Sequence, residues 1–458
     1  MSLMVSISGI RGIVGKSLTP EVIIKYVSAY AEFCKRKSIV IGRDGRITGK
    51  PISDIVISTL LQMGCDVIDL GVCPTPTVGF AVEKLKARGG ISITASHNPI
   101  VWNGLKFFST DGLFLDINQN RKLWKLASQN HKYVPWNKFG KYRNKSEFIN
   151  VHVKEALKTP YINAQKIRRA KFKVVIDCIN SAGGIIVPYL LEELGCKIIE
   201  LNCELSGIFK HKPEPLPENL TSLCQAVRKY KADFGIAVDP DVDRLVLIDE
   251  NGNPYGEEYT IVTCIKYVLE KKLKRKLYSE ENAPPKVVVN LSTTRAVDDV
   301  CQQYGAIVLR TPVGEINVAK KMKEVKAIIG GEGSGGVILP DLHYNRDAII
   351  GSALILQYLS EFGGTISELK STLPKYSIVK EKLDVSRLNI DSIFKKIESK
   401  YSNQGKVNTE DGLKIDFENS WIHLRKSNTE PIIRIIAEAP TKYEAKQLVK
   451  KIKSEIFG

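Results

Sequence analysis

Short apolar runs alternate with amphipathic stretches from one end of this 458-residue chain to the other. The run Ser38–Ile41 leads into GRDGRITGKPISDIVISTLLQMGCDVIDLG, whose apolar spacing resolves into strand, loop, amphipathic helix and strand. KFKVVIDCINSAGGIIVPYLLEELGCKIIEL repeats that order, with Asn180–Gly184 as the turn and Gly195 closing the helix. PKVVVNLSTTRAVDDVCQQYGAIVLRTPVGE repeats it a third time, with Gly305 as the helix stop. Three such passages predict three similar α/β domains with mixed sheets, whose loops at the carboxyl ends of strands are available to ligands. From about Tyr376 the pattern changes. SIVKEKLDV, DGLKIDFENSWIHLRKSN and PIIRIIAEAP read as strands, flanked by Lys-rich helices over 391–401 and 441–456, a smaller α+β domain on an antiparallel sheet. Boundaries are placed at 1–150, 151–253, 254–368 and 369–458.

Composition narrows the class. No run approaches the roughly 18 apolar residues of a membrane span, and MSLMVSISGI lacks the basic-then-apolar order of a secretion signal. Nine scattered cysteines without a C-x-x-C argue against a zinc cage or a disulfide framework and fit reduced thiols in a cytoplasmic protein. The net charge of +17 raises a nucleic-acid reading. Against it, the lysines are spread along the chain, and the densest cluster, Lys271–Lys276, has no interleaved aromatics and reads as a solvated face. A basic protein equally gathers anionic small molecules. Charge alone does not decide between these readings; neither nucleic acid nor membrane is expected as a partner, and monomer and dimer both stay open.

Four loops carry candidate chemistry. In AVDPDVDRLVLIDENG, Asp239, Asp241 and Asp243 stand at alternate positions between two strand-like runs, and such crowding of like charge calls for a hard divalent cation. An EF-hand fails, because Arg244 occupies the position of its turn glycine and Leu245–Ile248 reads as strand. In ITASHNP, Ser96 precedes His97; adjacent side chains on an extended loop are expected to point apart, so a serine-hydrolase pair is set aside in favour of a phosphorylated serine. LRKSNTEPIIRI crowds Arg425, Ser427, Asn428 and Thr429 onto one turn with Arg434 beyond, a set suited to gripping phosphate. IIGGEGSGGVILP holds Glu332 and Ser334 among glycines, where a carboxylate and a hydroxyl suit vicinal sugar hydroxyls.

Together T-A-S-H-N-P, D-P-D-V-D-R, G-E-G-S-G and R-K-S-N-T-E-P, with the opening SISGIRG, resemble the α-D-phosphohexomutase superfamily, which contains phosphoglucomutases, phosphomannomutases and phosphoglucosamine mutases. The resemblance spans the whole chain. It implies three similar α/β domains and a C-terminal TATA-binding-protein-like α+β domain around a central cleft, one motif from each. It implies that Ser96 is the phosphoserine, that Asp239, Asp241 and Asp243 bind Mg²⁺ together with an oxygen on Ser96, and that Arg244 touches its phosphate. Lys106 and Arg11 would assist proton transfer, with His97 beside the substrate. Glu332 and Ser334 would hold sugar hydroxyls, and Arg425, Ser427, Asn428, Thr429 and Arg434 the non-reacting phosphate. The implied reaction interconverts hexose 6-phosphate and hexose 1-phosphate, with a hexose 1,6-bisphosphate as intermediate and activator. Phosphomannomutase/phosphoglucomutase members often carry a histidine after V-G, where phosphoglucosamine mutases tend to be acidic and this chain has Glu315; the histidine that often follows S-G is Gly336 here. A carboxylate at 315 would suit a substrate ammonium, which favours glucosamine phosphate, with mannose or glucose phosphate as the alternative.

Overall fold

The computed structural model describes residues 3–274, 283–384, 389–426 and 432–457. The three repeated passages each extend into a β-α-β-α-β-β unit. In the first, Ile39–Arg43 (β3), Val67–Val72 (β4) and Gly89–Ile93 (β5) lie parallel, and Trp102–Phe108 (β6) runs antiparallel beside β5. Met4–Ser6 (β1) and Gly9–Ile13 (β2) extend that sheet beyond β6, and Tyr142–Asn144 (β7) extends it beyond β4. The second unit places Lys173–Asp177 (β8), Lys197–Leu201 (β9), Phe234–Val238 (β10) and Leu245–Ile248 (β11) in the order β11-β10-β8-β9. The third places Lys286–Asn290 (β12), Ile307–Thr311 (β13), Ile329–Glu332 (β14) and Gly336–Ile338 (β15) in the order β15-β14-β12-β13. One topology thus occurs three times. The first strands read IVIGR, KVVID and KVVVN and are almost wholly buried, as parallel strands covered by helices on both faces must be.

The C-terminal unit is different. Ser377–Asp384 (β16), Lys406–Asn408 (β17), Leu413–Asp416 (β18), Trp421–Lys426 (β19) and Ile432–Ala439 (β20) form an antiparallel sheet in the order β16-β20-β19-β18-β17. Helices Ile390–Tyr401 and Lys442–Phe457 cover one face. The opposite face meets the third unit: Ser292 Oγ lies 2.9 Å from His423 Nδ1, and the Arg295 N–H donates to Glu438 at 2.9 Å. Second and third units share one continuous core, running from Val153 to Leu373 and centred on helices Glu257–Lys274 and Ala348–Phe362. Among the described residues no helix is long and apolar enough to cross a membrane. The nine cysteines are free thiols.

Candidate active site at the carboxyl ends of the sheets

The repeated topology decides where the chemistry meets. In each unit the connection from the third parallel strand to the antiparallel edge strand leaves the carboxyl end of the sheet. Those three connections hold Ser96, the aspartate triad and Ser334 (β5–β6, β10–β11 and β14–β15). They converge. Thr75, at the start of helix Thr75–Lys84, donates its N–H to the Asp241 carbonyl (2.9 Å) and its hydroxyl to Asp241 Oδ2 (2.7 Å). The Leu245 N–H donates to the Gly335 carbonyl at 2.9 Å, tying the aspartate loop to the Ser334 loop. Gly335 has φ +86, and a Cβ there would overlap the Leu245 carbonyl oxygen. Only glycine fits this approach.

Ser96 is buried with φ 48, in the left-handed region that few non-glycine residues adopt. That conformation overturns one expectation. On an extended loop Ser96 and His97 would diverge, but the left-handed turn brings Ser96 Oγ within 3.2 Å of His97 Nδ1. His97 is still ill-suited to be a triad base. Burial, then the nearby Arg244 and Arg11 guanidiniums, push its pKa well down and disfavour the imidazolium a base must become. The loop is held from beneath by buried Arg46, which donates to the carbonyls of Ser96 (2.6 Å), Asn98 (2.7 Å), Pro99 (2.9 Å) and Trp102 (3.1 Å). Asp44 Oδ2 in turn accepts from Arg46 Nε at 3.0 Å and from the Thr94 hydroxyl at 2.7 Å.

Facing Ser96 across the unit boundary is the triad. Ser96 Oγ donates to Asp239 Oδ2 at 3.1 Å, and Asp239 Oδ1 accepts the N–H groups of Asp243 (3.1 Å) and Arg244 (3.2 Å). Lys106 Nζ lies 2.6 Å from Asp241 Oδ2 and 3.6 Å from Asp243 Oδ2. Asp241 Oδ1 and Asp243 Oδ1 are buried with no hydrogen-bond partner. Val242, a buried β-branched residue at φ 60, is the strained pivot that sets Asp241 and Asp243 on one side. Burial and the two neighbouring carboxylates push the Asp239 carboxyl well up. Burial pushes Asp241 up too, but Lys106 and Thr75 outweigh it and hold that carboxyl below the usual range. Three carboxylates with ligand oxygens within 4.8 Å, two of those residues keeping an orphan oxygen, are a fitting donor set for a hard divalent cation.

The remaining cations flank this pair. Arg11 on β2 sits opposite Gly104 and donates to Asn98 Oδ1 at 3.2 Å; a Cβ at Gly104 would crowd its side chain. Arg244 pairs with Glu214 (3.4 Å), and its Nε lies 3.9 Å from Asp243 Oδ1, too far for a hydrogen bond. Glu332 is buried: Oε1 accepts from Asn290 Nδ2 (2.8 Å) and the Gly314 N–H (3.0 Å), Oε2 from Arg346 Nη1 (2.6 Å). Glu315 opens helix Glu315–Val325, and Arg346 engages both its oxygens. Burial raises its carboxyl to about 7 against the pull of Arg346. Ser334 stands half-buried at the tip of its loop.

Sequence reasoning missed Arg346, Arg46, Thr75 and Asp411. Asp411 accepts from Arg425 Nε at 2.8 Å and from the Val313 N–H at 2.9 Å, so the C-terminal arginine is oriented against the third unit's V-G-E turn. Arg434 lies opposite Arg425 on β20, and Lys382 lies opposite Arg434 on β16. Three cations in line across a sheet repel one another unless an anion joins them. Ser427, Asn428 and Thr429 lie outside the described residues. A second group, His152, His343 and Asp347, is also buried. There the Asn345 N–H donates to His343 Nδ1 at 3.1 Å, so His343 Nε2 carries the proton and donates to Asp347, 3.3 Å away. It is a satisfied network at the junction of the units, not a cation cage.

Four consecutive stretches match the domain families described as Phosphoglucomutase/phosphomannomutase, alpha/beta/alpha domains I, II and III and C-terminal domain, over residues 4–134, 150–252, 257–376 and 378–455. The chain is 37% identical over 446 residues to a "Phosphoglucomutase/phosphomannomutase" of Thermococcus kodakarensis, covering 96% of this chain and 95% of that one. It is 34% identical over 443 residues to a "Probable phosphoglucosamine mutase" of Methanopyrus kandleri, covering 96% and 95%. A solved phosphoglucomutase/phosphomannomutase family protein from Burkholderia thailandensis superposes with a TM-score of 0.84 at 24% identity, over 99% of this chain and 98% of that one.

Proposed function

The chain belongs to the phosphoglucomutase/phosphomannomutase family, and from that premise we propose that it interconverts hexose 6-phosphate and hexose 1-phosphate through a phosphorylated Ser96, with Mg²⁺ as cofactor. One observation carries the reading: the hydroxyl of Ser96 lies 3.1 Å from a carboxylate of a buried aspartate triad that retains two orphan oxygens. Asp239, Asp241, Asp243 and an oxygen on Ser96 would hold the ion, whose positive charge offsets that of the moving phosphoryl group.

The protein's own groups account for the rest. Phosphate-monoester cleavage is among the slowest uncatalysed reactions, so positioning and charge stabilisation are the levers available. The sugar's free hydroxyl attacks phosphorus, the P–Oγ bond of phosphoserine 96 breaks, and the hydroxyl proton passes by way of Lys106 or Arg11 to the serine oxygen. The product is a hexose 1,6-bisphosphate. It turns end for end, and its other phosphoryl group returns to Ser96 by the same bond exchange. Arg244 and Arg11 offset the phosphate charge, and His97 stands beside the substrate. Glu332 and Ser334 orient ring hydroxyls. Arg425, Arg434, Ser427, Asn428 and Thr429 grip whichever phosphate is not reacting, and the line of cations across β16, β20 and β19 supports that role. Burial of Ser96 keeps water from the phosphoester.

Glucosamine phosphate is the proposed sugar. Glu315 and Glu332 supply carboxylates on the sugar side, and the one arginine that engages both is shared with Asp243, an arrangement that suits a substrate ammonium. Intact mass tests the mechanism: wild type carries an additional mass of about 80 Da, one phosphoryl group. Ser96→Ala carries none and loses isomerase activity by orders of magnitude. Release of free phosphate without isomerised sugar would refute the proposal. Parallel kcat/KM values for glucosamine, glucose and mannose 6-phosphates test the sugar, and a preference for mannose 6-phosphate above about tenfold, roughly 1.4 kcal/mol, refutes it.

A further inference from the structure

Arg346 belongs to none of the four motifs, yet it joins two of them and the V-G-E turn. It lies in YNRDAII, immediately before helix Ala348–Phe362. Its side chain is 10% exposed, and each guanidinium nitrogen meets a different carboxylate. Nε donates to Glu315 Oε2 (3.1 Å), Nη1 to Glu332 Oε2 (2.6 Å) and Nη2 to Asp243 Oδ2 (2.6 Å). Its backbone N–H adds a bond to Glu315 Oε1 at 2.9 Å.

The flanking backbone is fixed. The Asp347 N–H donates to the Val337 carbonyl (2.8 Å) and the Ala348 N–H to the Val242 carbonyl (3.2 Å), inside the triad loop. Asp347 Oδ2 takes His152 Nε2 at 3.0 Å, while its Oδ1 caps the helix through the Ile349 N–H at 2.8 Å. The side chain reaches its partners only because residue 336 is glycine: a Cβ there would overlap Arg346 Cδ. Gly336, Glu315 and Arg346 are therefore one steric and electrostatic unit, assembled from three separate segments.

We infer that Arg346 is the positioning and specificity residue of this site. By holding Asp243 Oδ2 it leaves Oδ1, the orphan oxygen, for the cation. By offsetting carboxylate charge on the sugar side, where it engages both Glu315 and Glu332, it sets the balance between amino and neutral sugars. The second half rests on the proposed function; the first does not. A fork is required rather than a charge, because three carboxylates lie in three directions and an ammonium cannot span them.

The test uses the full-length protein and four forms of it: wild type, Arg346→Gln, Arg346→Lys and Arg346→Gln/Glu315→Gln. Mn²⁺ alone, titrated and followed by electron paramagnetic resonance, reads the hold on Asp243. Both single variants should bind it about 10–100-fold more weakly, as when a partner of a metal ligand is lost. The ratio of kcat/KM for glucosamine 6-phosphate to that for glucose 6-phosphate reads the charge. It should rise about tenfold in Arg346→Gln, stay within about threefold of wild type in Arg346→Lys, and return toward wild type in the double variant. A merely structural role lowers both numerators and denominators together and leaves the ratio still. Mn²⁺ affinity of Arg346→Gln within about twofold of wild type overturns the positioning half, and an unchanged ratio overturns the specificity half. Should Arg346→Gln fail to fold, Arg346→Lys carries the metal arm and Glu315→Gln the charge arm, with the ratio expected to fall. A wild type that isomerises neither sugar defeats the proposed function and the specificity half with it, while the Mn²⁺ arm still decides the positioning half.

Discussion

Ser96 and Val242 are non-glycine residues in the left-handed region, at φ 48 and φ 60, and each turns a loop of the candidate site. Such backbone persists only where the surroundings over-determine it. For Ser96 the determining residue is Arg46, whose donors reach four carbonyls of the 96–102 loop. Removing it would strand those carbonyls and leave Asp44 as an uncompensated buried charge. Arg46→Met is expected to destabilise the first unit by about 3–5 kcal/mol, measured as a lowered urea midpoint. An unchanged midpoint would show that water replaces the guanidinium at no cost. At this scale the sequence disclosed Ser96 and the aspartates, because three carboxylates in five residues are an electrostatic anomaly wherever they fold. Arg46, Arg346 and Asp411 carry no local anomaly. Their meaning comes from partners distant along the chain, 103 residues for Arg346 with Asp243 and 98 for Asp411 with Val313.

Among elements, the junction of β19 with the third unit depends on a neutral histidine. His423 Nε2 donates to the Asp411 carbonyl at 2.7 Å, so Nδ1 accepts from the Ser292 hydroxyl. Burial, then the neighbouring Arg425, lowers this imidazole from 6.5 to about 4. The unfolded chain therefore takes up a proton first as pH falls. Stability from this junction is complete above about 6.5 and is lost between there and 4, with a slope of at most about 1.4 kcal/mol per pH unit. Amide protection factors at 421–426, taken relative to the intrinsic exchange rate at each pH, should fall as pH drops across that window in wild type and fall little in His423→Gln. Equal loss of protection in both would assign the effect elsewhere. The repeated β-α-β passages and the antiparallel C-terminal strands were legible, since their apolar runs are long enough to show a period. Three-residue strands such as β7 and β17 were not, for too few positions exist to reveal one.

For the whole molecule, the core running from Val153 to Leu373 makes the second and third units a single cooperative body, whereas the C-terminal sheet packs a core of its own. Hydrogen exchange under mild denaturant should release amides of β8, β10, β12 and β14 together, and those of β19 and β20 at a separate, lower denaturant concentration. Independent release of β8 and β12 would contradict a shared core. The amino-acid sequence by itself determined the periodicities, the acidic triad, the serine loop and the glycines, because those are local consequences of side-chain polarity and backbone freedom. Only tertiary structure decided the strand order within each of the three similar units, and that Arg346 is clasped by Asp243, Glu315 and Glu332. Which charges meet is a property of long-range packing, and packing sums over contacts that no local stretch contains.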